Sequence, residues 1–342
     1  MAIKRVEIKD FLVFKGEFAV DFCPGVNVII GGNATGKTTL LKCLYGVYNK
    51  KVESCFFSTN IMDDVSYGEG IIKLLCSNDT ETLFEQGPYN ENPHINPHTG
   101  KILKDGVGVS CYTTKGSPGD AGSHVFSQSV FIPDKDMLAH SFGFLPWLRE
   151  RQGVPFDDTL SDIVSKAQLF PKNDISHGKL CEDIRKIIGG EVAYDNDTFY
   201  VLKDKERKLV PFSLEASGYK KLGLLWKLIR NGLLEQGSIL FWDEPENSLN
   251  PELVPVLVSI LLDLAANGVQ IFIASHDYNF VRYFDVRENN DIPVLFHNLT
   301  KNDGGQIICE SSRKYLKLTN NLLEDSADEL FEAVAAYGMG FR

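Results

Sequence analysis

The chain has 342 residues, 43% of them hydrophobic and 24% charged, and 35 Lys and Arg against 46 Asp and Glu leave a formal net charge of −11. These are ordinary globular proportions at a length that suits one elaborated domain or two small ones, and they exclude disordered and collagen-like chains. Seven scattered cysteines, none in a CxxC pair, suggest neither a disulfide framework nor a zinc cage; the acidic balance disfavours a chain that grips nucleic acid by itself. The N-terminus is charged every few residues and no uncharged apolar run approaches the ~18 residues of a membrane span, so a cytoplasmic protein without leader or membrane segment is expected.

In chain order, residues 3–8 and 26–30 read as strands, and the second, a short apolar run, stops abruptly at Gly31-Gly32. From Lys37 the positions Leu40, Leu41 and Leu44 repeat at helical spacing until Gly46. Over 50–130 short strand-like runs (71–76, 106–112) alternate with polar Asn-, Pro- and Gly-rich stretches, which predicts an antiparallel β insertion with a long loop. A helical lobe is expected over 140–200, interrupted at Pro155 and Pro171, with Gly189-Gly190 leading into strand-like residues 191–202. A helix (219–231), an apolar strand (238–242), a helix (251–266) and a strand (270–274) then alternate in the manner of a parallel sheet. The expectation is one α/β domain: a nucleotide-binding core over 1–48 and 205–290, the insertion, the lobe, and a C-terminal hairpin and helix over 291–342. No sustained heptads and no internal repeat occur.

Gly31-Gly32-Asn33-Ala34-Thr35-Gly36-Lys37-Thr38 is a full G-x-x-x-x-G-K-[ST] phosphate loop between an apolar strand and a helix. Its glycines let backbone N–H groups curl round a phosphate at a helix N-terminus, Lys37 should reach the β- and γ-phosphates of ATP, and Thr38, followed by Thr39, should ligate Mg²⁺. Further on, the strand Ile239-Leu240-Phe241-Trp242 ends in Asp243-Glu244-Pro245, the first acid placed for magnesium and the second to polarise an attacking water. Asn247 to Pro251 forms a turn into the next helix. Ser275-His276-Asp277 puts a histidine at the end of the following strand, where it can sense a γ-phosphate. Ser217-Gly218 opens a helix, as either an anion contact or an ordinary N-cap.

Other constellations read as structure. His94 and His98 are kept off one helical face by Pro93 and Pro97. Glu191, Asp195 and Asp197 read less as a nuclease cluster than as a hairpin turn at Asp195-Asn196-Asp197, and 203–208 (KDKERK) mixes signs as a solvated turn rather than a nucleic-acid patch. Leu322, Leu323, Ala327, Leu330, Phe331, Val334 and Ala335 suggest an amphipathic helix that packs on its own head or meets a partner.

Taken together these residues resemble the ATP-binding-cassette superfamily, specifically the heads of chromosome-maintenance and break-repair ATPases and of the OLD family. LFWDEPENSLNPEL and the order ASGYKKLGLL, WDEPE, SHD look most like stand-alone ATP-binding proteins of bacterial defence and toxin–antitoxin loci. The resemblance implies a P-loop NTPase fold in which two heads sandwich two ATP molecules. It assigns Lys37 to the phosphates, Thr38 and Asp243 to magnesium, Glu244 to the general base, His276 to the switch, and Ser217 and Gly218 to the partner's ATP. It also calls for a glutamine loop, for which Gln128 is the candidate and Lys135 and Asp136 the rivals. The LSGGQ signature of transporters is absent, Tyr219 standing where its second glycine would. The resemblance further implies a homodimer or higher oligomer formed through ATP and an effector, a nuclease or toxin, encoded nearby. The stretch after His276 reads as too short for the nuclease domain that follows an OLD-type head, so direct nucleic-acid binding by this chain is expected to be weak or absent. The alternatives are an ATP-binding regulatory module with negligible turnover, or the ATPase subunit of a transporter.

Overall fold

A computed structural model describes residues 2–56, 70–88, 107–115, 128–150, 156–173, 177–287 and 292–338. His94 and His98 lie outside these residues. The first part of the chain contains β1 (Ile3–Phe11), β2 (Phe14–Asp21), β3 (Val26–Gly31), α1 (Lys37–Tyr48), α2 (Val52–Phe56), β4 (Gly70–Cys76), β5 (Glu81–Pro88), β6 (Val107–Lys115) and β7 (Ser129–Ile132). Next come α3 (Phe144–Glu150), α4 (Asp158–Ala167), α5 (Gly178–Ile188), β8 (Gly190–Asp195), β9 (Thr198–Lys203), β10 (Leu209–Pro211) and α6 (Ser217–Arg230). The last part holds β11 (Ile239–Asp243), α7 (Val254–Ala266), β12 (Gln270–Ala274), α8 (Tyr278–Val286), β13 (Val294–Lys301), β14 (Ile307–Ser312) and α9 (Leu322–Gly338).

The core is a six-stranded sheet in the order β14-β13-β3-β12-β11-β7. All neighbours in it are parallel except the edge pair β13–β14. Every residue of β3, β7, β11 and β12 is buried, as expected of short apolar runs covered on both faces. Alternate side chains serve opposite faces. Leu240 and Trp242 of β11 pack with Leu225 of α6 and Leu261 of α7, whereas Ile239 and Phe241 pack with Leu44 of α1 and Val6 of β1. Each such side chain contributes roughly 1.5–3 kcal/mol on burial.

The strand pairings depart from the sequence reading in three places. β1 does not join the six-stranded sheet: it belongs to a five-stranded antiparallel sheet, β2-β1-β4-β5-β6, with strands of the insertion. β7, at the boundary between the expected insertion and the lobe, pairs parallel with β11 in the core sheet, Ser129 opposite Ile239 and Ile132 opposite Trp242. β13, expected as half of a hairpin alone, also runs parallel to β3 from Val294↔Val26 to Leu299↔Gly31. Periodicity identifies a buried strand but not the neighbour that completes its hydrogen bonds.

The lobe contains α3, α4 and α5 followed by a three-stranded sheet, β10-β9-β8. Asn196 and Asp197 turn its first hairpin with φ of 46° and 59°, between the paired Asp195 and Thr198, as a two-residue type I′ turn requires. Glu191 meets Arg185 at 2.8 Å. These acids therefore make a turn and an ion pair. Helix α4 is tied to α1 by polar contacts: Lys42 meets Asp157 at 2.7 Å, Lys166 donates to the Tyr45 hydroxyl at 2.8 Å, and that hydroxyl donates to Asp162 at 2.7 Å. Burial pushes the Lys166 ammonium down to about 7. Helix α9 forms where apolar spacing predicts it, yet none of its residues is buried. Leu323 packs against the core, while Phe331 is 75% exposed.

Candidate functional site

The ends of β3, β11 and β12 meet at one edge of the sheet, and the chemistry-bearing residues leave from there. β3 ends at Gly31, whose φ is +144° and where a Cβ would lie 2.3 Å from the Leu299 carbonyl oxygen; only glycine fits. Gly36, left-handed at φ 88°, forms the N-cap of α1 without a side-chain cap, so the helix N-terminus keeps its amides free for an anion. The Thr35 hydroxyl donates to the Gly32 carbonyl at 2.9 Å and braces the loop. Lys37 folds back to donate to the carbonyls of Gly31 and Gly32 at 2.8 and 3.0 Å, and burial lowers its pKa. Asn33, Ala34 and Thr38 face solvent, and Thr39 is half-buried beside them.

The second half of the site comes from β11 and β12. The Thr38 hydroxyl donates to Asp243 at 3.1 Å. Burial raises the Asp243 carboxyl to about 6, against the opposing effect of that hydrogen bond. Glu244 has left-handed backbone, φ 48°, its amide held by the Ala274 carbonyl at 2.9 Å. One of its carboxylate oxygens lies 3.2 Å from Nδ1 of His276, whose side chain is half exposed. A base and a polar ring therefore stand together at the open end of the sheet, beside a pair of hard oxygens. Thr38 and Asp243 suit magnesium, which takes one or two protein oxygens and completes its shell with water and phosphate. Among the described residues no group of three His, Cys, Asp or Glu side chains could hold a metal without such help.

Two predicted positions fall elsewhere. Gln128 precedes β7, and its carbonyl accepts from the Ile239 amide at 2.9 Å. It therefore sits at the opposite end of these parallel strands from Asp243 and cannot reach a phosphate; the loop beyond the proper end of β7 carries Asp134, Lys135 and Asp136. Asp134 acts electrostatically on Asp243, and Asp136 meets Lys220 of α6 at 3.3 Å. Strand direction was thus the missing signal: a loop residue at this site must follow a parallel strand, not precede it. Ser217 is the first helical residue of α6 and makes no side-chain cap. It is exposed, in a cleft with residues 133–136 and with Asn247 and Ser248. Gly218 is buried, and a Cβ there would lie 2.7 Å from Leu253, so this glycine lets α6 approach the segment after β11. Two residues that the motifs did not single out join the site: Glu246, and Lys221 of α6, which donates to the carbonyls of Glu244 and Pro245 at 3.1 and 2.8 Å.

Comparison with known proteins agrees with this geometry. A family described as "AAA ATPase domain" matches residues 1–105, and one described as "AAA domain, putative AbiEii toxin, Type IV TA system" matches residues 118–282. Both families are described as AAA domains, and the matched stretches carry the phosphate loop and the Asp243–Glu244 end of β11. The chain is 32% identical over 81 residues to the L-cystine import ATP-binding protein TcyC of Bacillus subtilis, covering 24% of this chain and 30% of that one. It is 25% identical over 167 residues to the energy-coupling factor transporter ATP-binding protein EcfA of Methanothermobacter thermautotrophicus, covering 46% and 47%. The chain thus spans less than half the length of these relatives. Its fold is similar to an Smc head solved bound to the C-terminal winged-helix domain of ScpA, with a TM-score of 0.56 and 12% identity over 91% of this chain and 98% of that one.

Proposed function

We propose that the head hydrolyses ATP with magnesium between two copies of itself and passes the resulting closure to a partner effector. The observation that carries this reading is the meeting of Glu244 and His276 at 3.2 Å beside the Thr38–Asp243 pair. Glu244 accepts a proton from the attacking water, and its contact with His276 fixes the carboxylate at the end of β11. Lys37, now resting on loop carbonyls, exchanges them for phosphate oxygens of ATP. Magnesium, held by Thr38 and Asp243, neutralises the phosphates when bound. Ser217, exposed at the N-terminus of α6, meets the ATP of a second copy, and Gly218 beside it, buried against Leu253, sets how α6 presents that end. The match to a family named for a toxin–antitoxin system supports a role in bacterial anti-phage defence or such a locus, with the effector, a nuclease or toxin, as a separate cytoplasmic protein.

The test is steady-state ATPase activity and ATP-dependent dimerisation, by sedimentation, of wild type and Glu244→Gln, alone and with the product of the neighbouring gene. Hydrolysis lowered at least 10²-fold with dimers trapped by ATP supports the reading. A wild type that binds ATP without turnover in both settings overturns it in favour of a regulatory module. A transporter subunit is the second reading, favoured by the names of the two relatives. Among the described residues no helix is long and apolar enough to cross a membrane, so that reading requires a separate membrane protein, and co-purification with one would establish it.

A further inference from the structure

The turn after β11 carries a third acid to which the motifs assign no role. Glu246 keeps only 7% of its side chain exposed. Its Oε1 accepts from the Ser275 hydroxyl at 2.8 Å and from the His276 amide at 3.2 Å. The Ser275 oxygen in turn accepts from the Asp277 amide at 3.2 Å, and Asp277 caps α8 by accepting from the Phe280 amide at 2.6 Å. On the other side of the same turn, Lys221 holds the carbonyls of Glu244 and Pro245. One short segment is therefore gripped by α6 and itself grips the loop that carries His276.

The choice of a carboxylate here has a cost and a use. Oε2 of Glu246 is buried without a hydrogen-bond partner among the described residues, and burial raises the carboxyl's pKa; a turn needed only for shape could be built without that penalty. A carboxylate makes stronger hydrogen bonds than a neutral acceptor. The residue it steadies indirectly, Glu244, has a left-handed backbone that costs a non-glycine residue on the order of 1–3 kcal/mol and persists only when its surroundings enforce it.

We propose that Glu246 is a positioning residue: its carboxylate clamps the Ser275–His276 backbone to the turn that bears Glu244, and through Lys221 the clamp ties the spacing of base and switch to α6. The proposal deepens the hydrolytic reading and rests on it. Because α6 opens with Ser217 and Gly218, a nucleotide meeting that helix on a second copy would be felt at His276.

The experiment uses the full chain as wild type, Glu246→Ala, Glu246→Gln and Ser275→Ala. It measures hydrogen exchange of residues 275–277 with and without ATP and magnesium, together with kcat and KM. ATP should add protection in the wild type. Glu246→Ala should lose that increment and drop kcat roughly tenfold to a hundredfold, with KM for ATP held within about threefold. Glu246→Gln, whose amide oxygen still accepts both bonds, should restore the increment and most of kcat, and Ser275→Ala should fall between. If Glu246→Ala does not fold, Ser275→Ala, which removes one hydroxyl, still reads the clamp. Unchanged kcat, a change confined to KM, or a Gln variant as impaired as Ala would overturn the proposal. A wild type that gains protection with ATP but never turns it over would sink hydrolysis alone; loss of the increment in Glu246→Ala would then leave the clamp standing.

Discussion

The Thr38 hydroxyl donates to the Asp243 carboxylate at 3.1 Å, joining the first turn of α1 to the end of β11 across 205 residues of sequence. Two motifs far apart in the chain thus present two hard oxygens side by side. Thr38→Ala should raise the magnesium concentration for half-maximal turnover roughly tenfold or more while leaving the fold intact, since Thr38 faces solvent. A magnesium titration of ATPase activity checks this, and an unchanged midpoint would remove Thr38 from the metal's shell.

His276 touches Glu244 through Nδ1 and is exposed on its other side, so its contribution should be to chemistry and not to packing. His276→Ala is expected to lower kcat on the order of 10²-fold, with the thermal midpoint shifted by no more than about 2 °C. Calorimetry and steady-state kinetics on the same preparation separate the two effects.

A different histidine should govern stability in acid. His297 on β13 is fully buried, with Nδ1 2.8 Å from the Ser311 hydroxyl and Nε2 3.3 Å from Oδ1 of Asn27. Burial lowers its pKa from the ordinary 6.5 to about 3. Above 6.5 the ring is neutral in both folded and unfolded chains, and the stability it allows is fully present. Between 6.5 and 3 only the unfolded chain takes up the proton, so stability falls with falling pH, at up to about 1.4 kcal/mol per pH unit from this residue. Urea unfolding at pH 7 and pH 5 should show that slope, and His297→Gln should flatten part of it.

The core and the C-terminal helix should respond to the same truncation by very different amounts. Phe272 of β12 is fully buried, stacked on Phe241 at 5.1 Å between ring centroids and met edge-on by Phe22 at 5.0 Å. Phe272→Ala should cost about 3–5 kcal/mol. Phe331 of α9 is 75% exposed, and Phe331→Ala should cost less than about 0.5 kcal/mol in denaturant unfolding. A larger loss at Phe331 would mean that α9 packs on the head in solution.

Short-range pattern was enough for much of this molecule. The apolar run before Gly31, the phosphate loop, the strand into Asp243 and Glu244, and the hairpin turn at Asn196-Asp197 are all written in neighbouring residues. Local backbone preferences and the burial of a short strand on both faces are properties of adjacent positions, and such runs carry them whatever the rest of the chain does. The amphipathic spacing of α9 was likewise readable as a helix.

What the tertiary structure alone decided were the relations between distant segments. β1 and β7 look equally like strands in the sequence, yet one pairs with the insertion and the other with β11, because strand partners are chosen by which apolar faces can be covered together. Gln128 was misplaced for the same reason: once β7 runs parallel to β11, only residues after Ile132 can reach the end that bears Asp243. The bond from Glu246 to Ser275 and His276 spans a helix and a strand, and no spacing rule announces it. Whether α9 closes over its own head or stays open could not be read from its apolar stripe, since the stripe records a need for burial and not the surface that meets it.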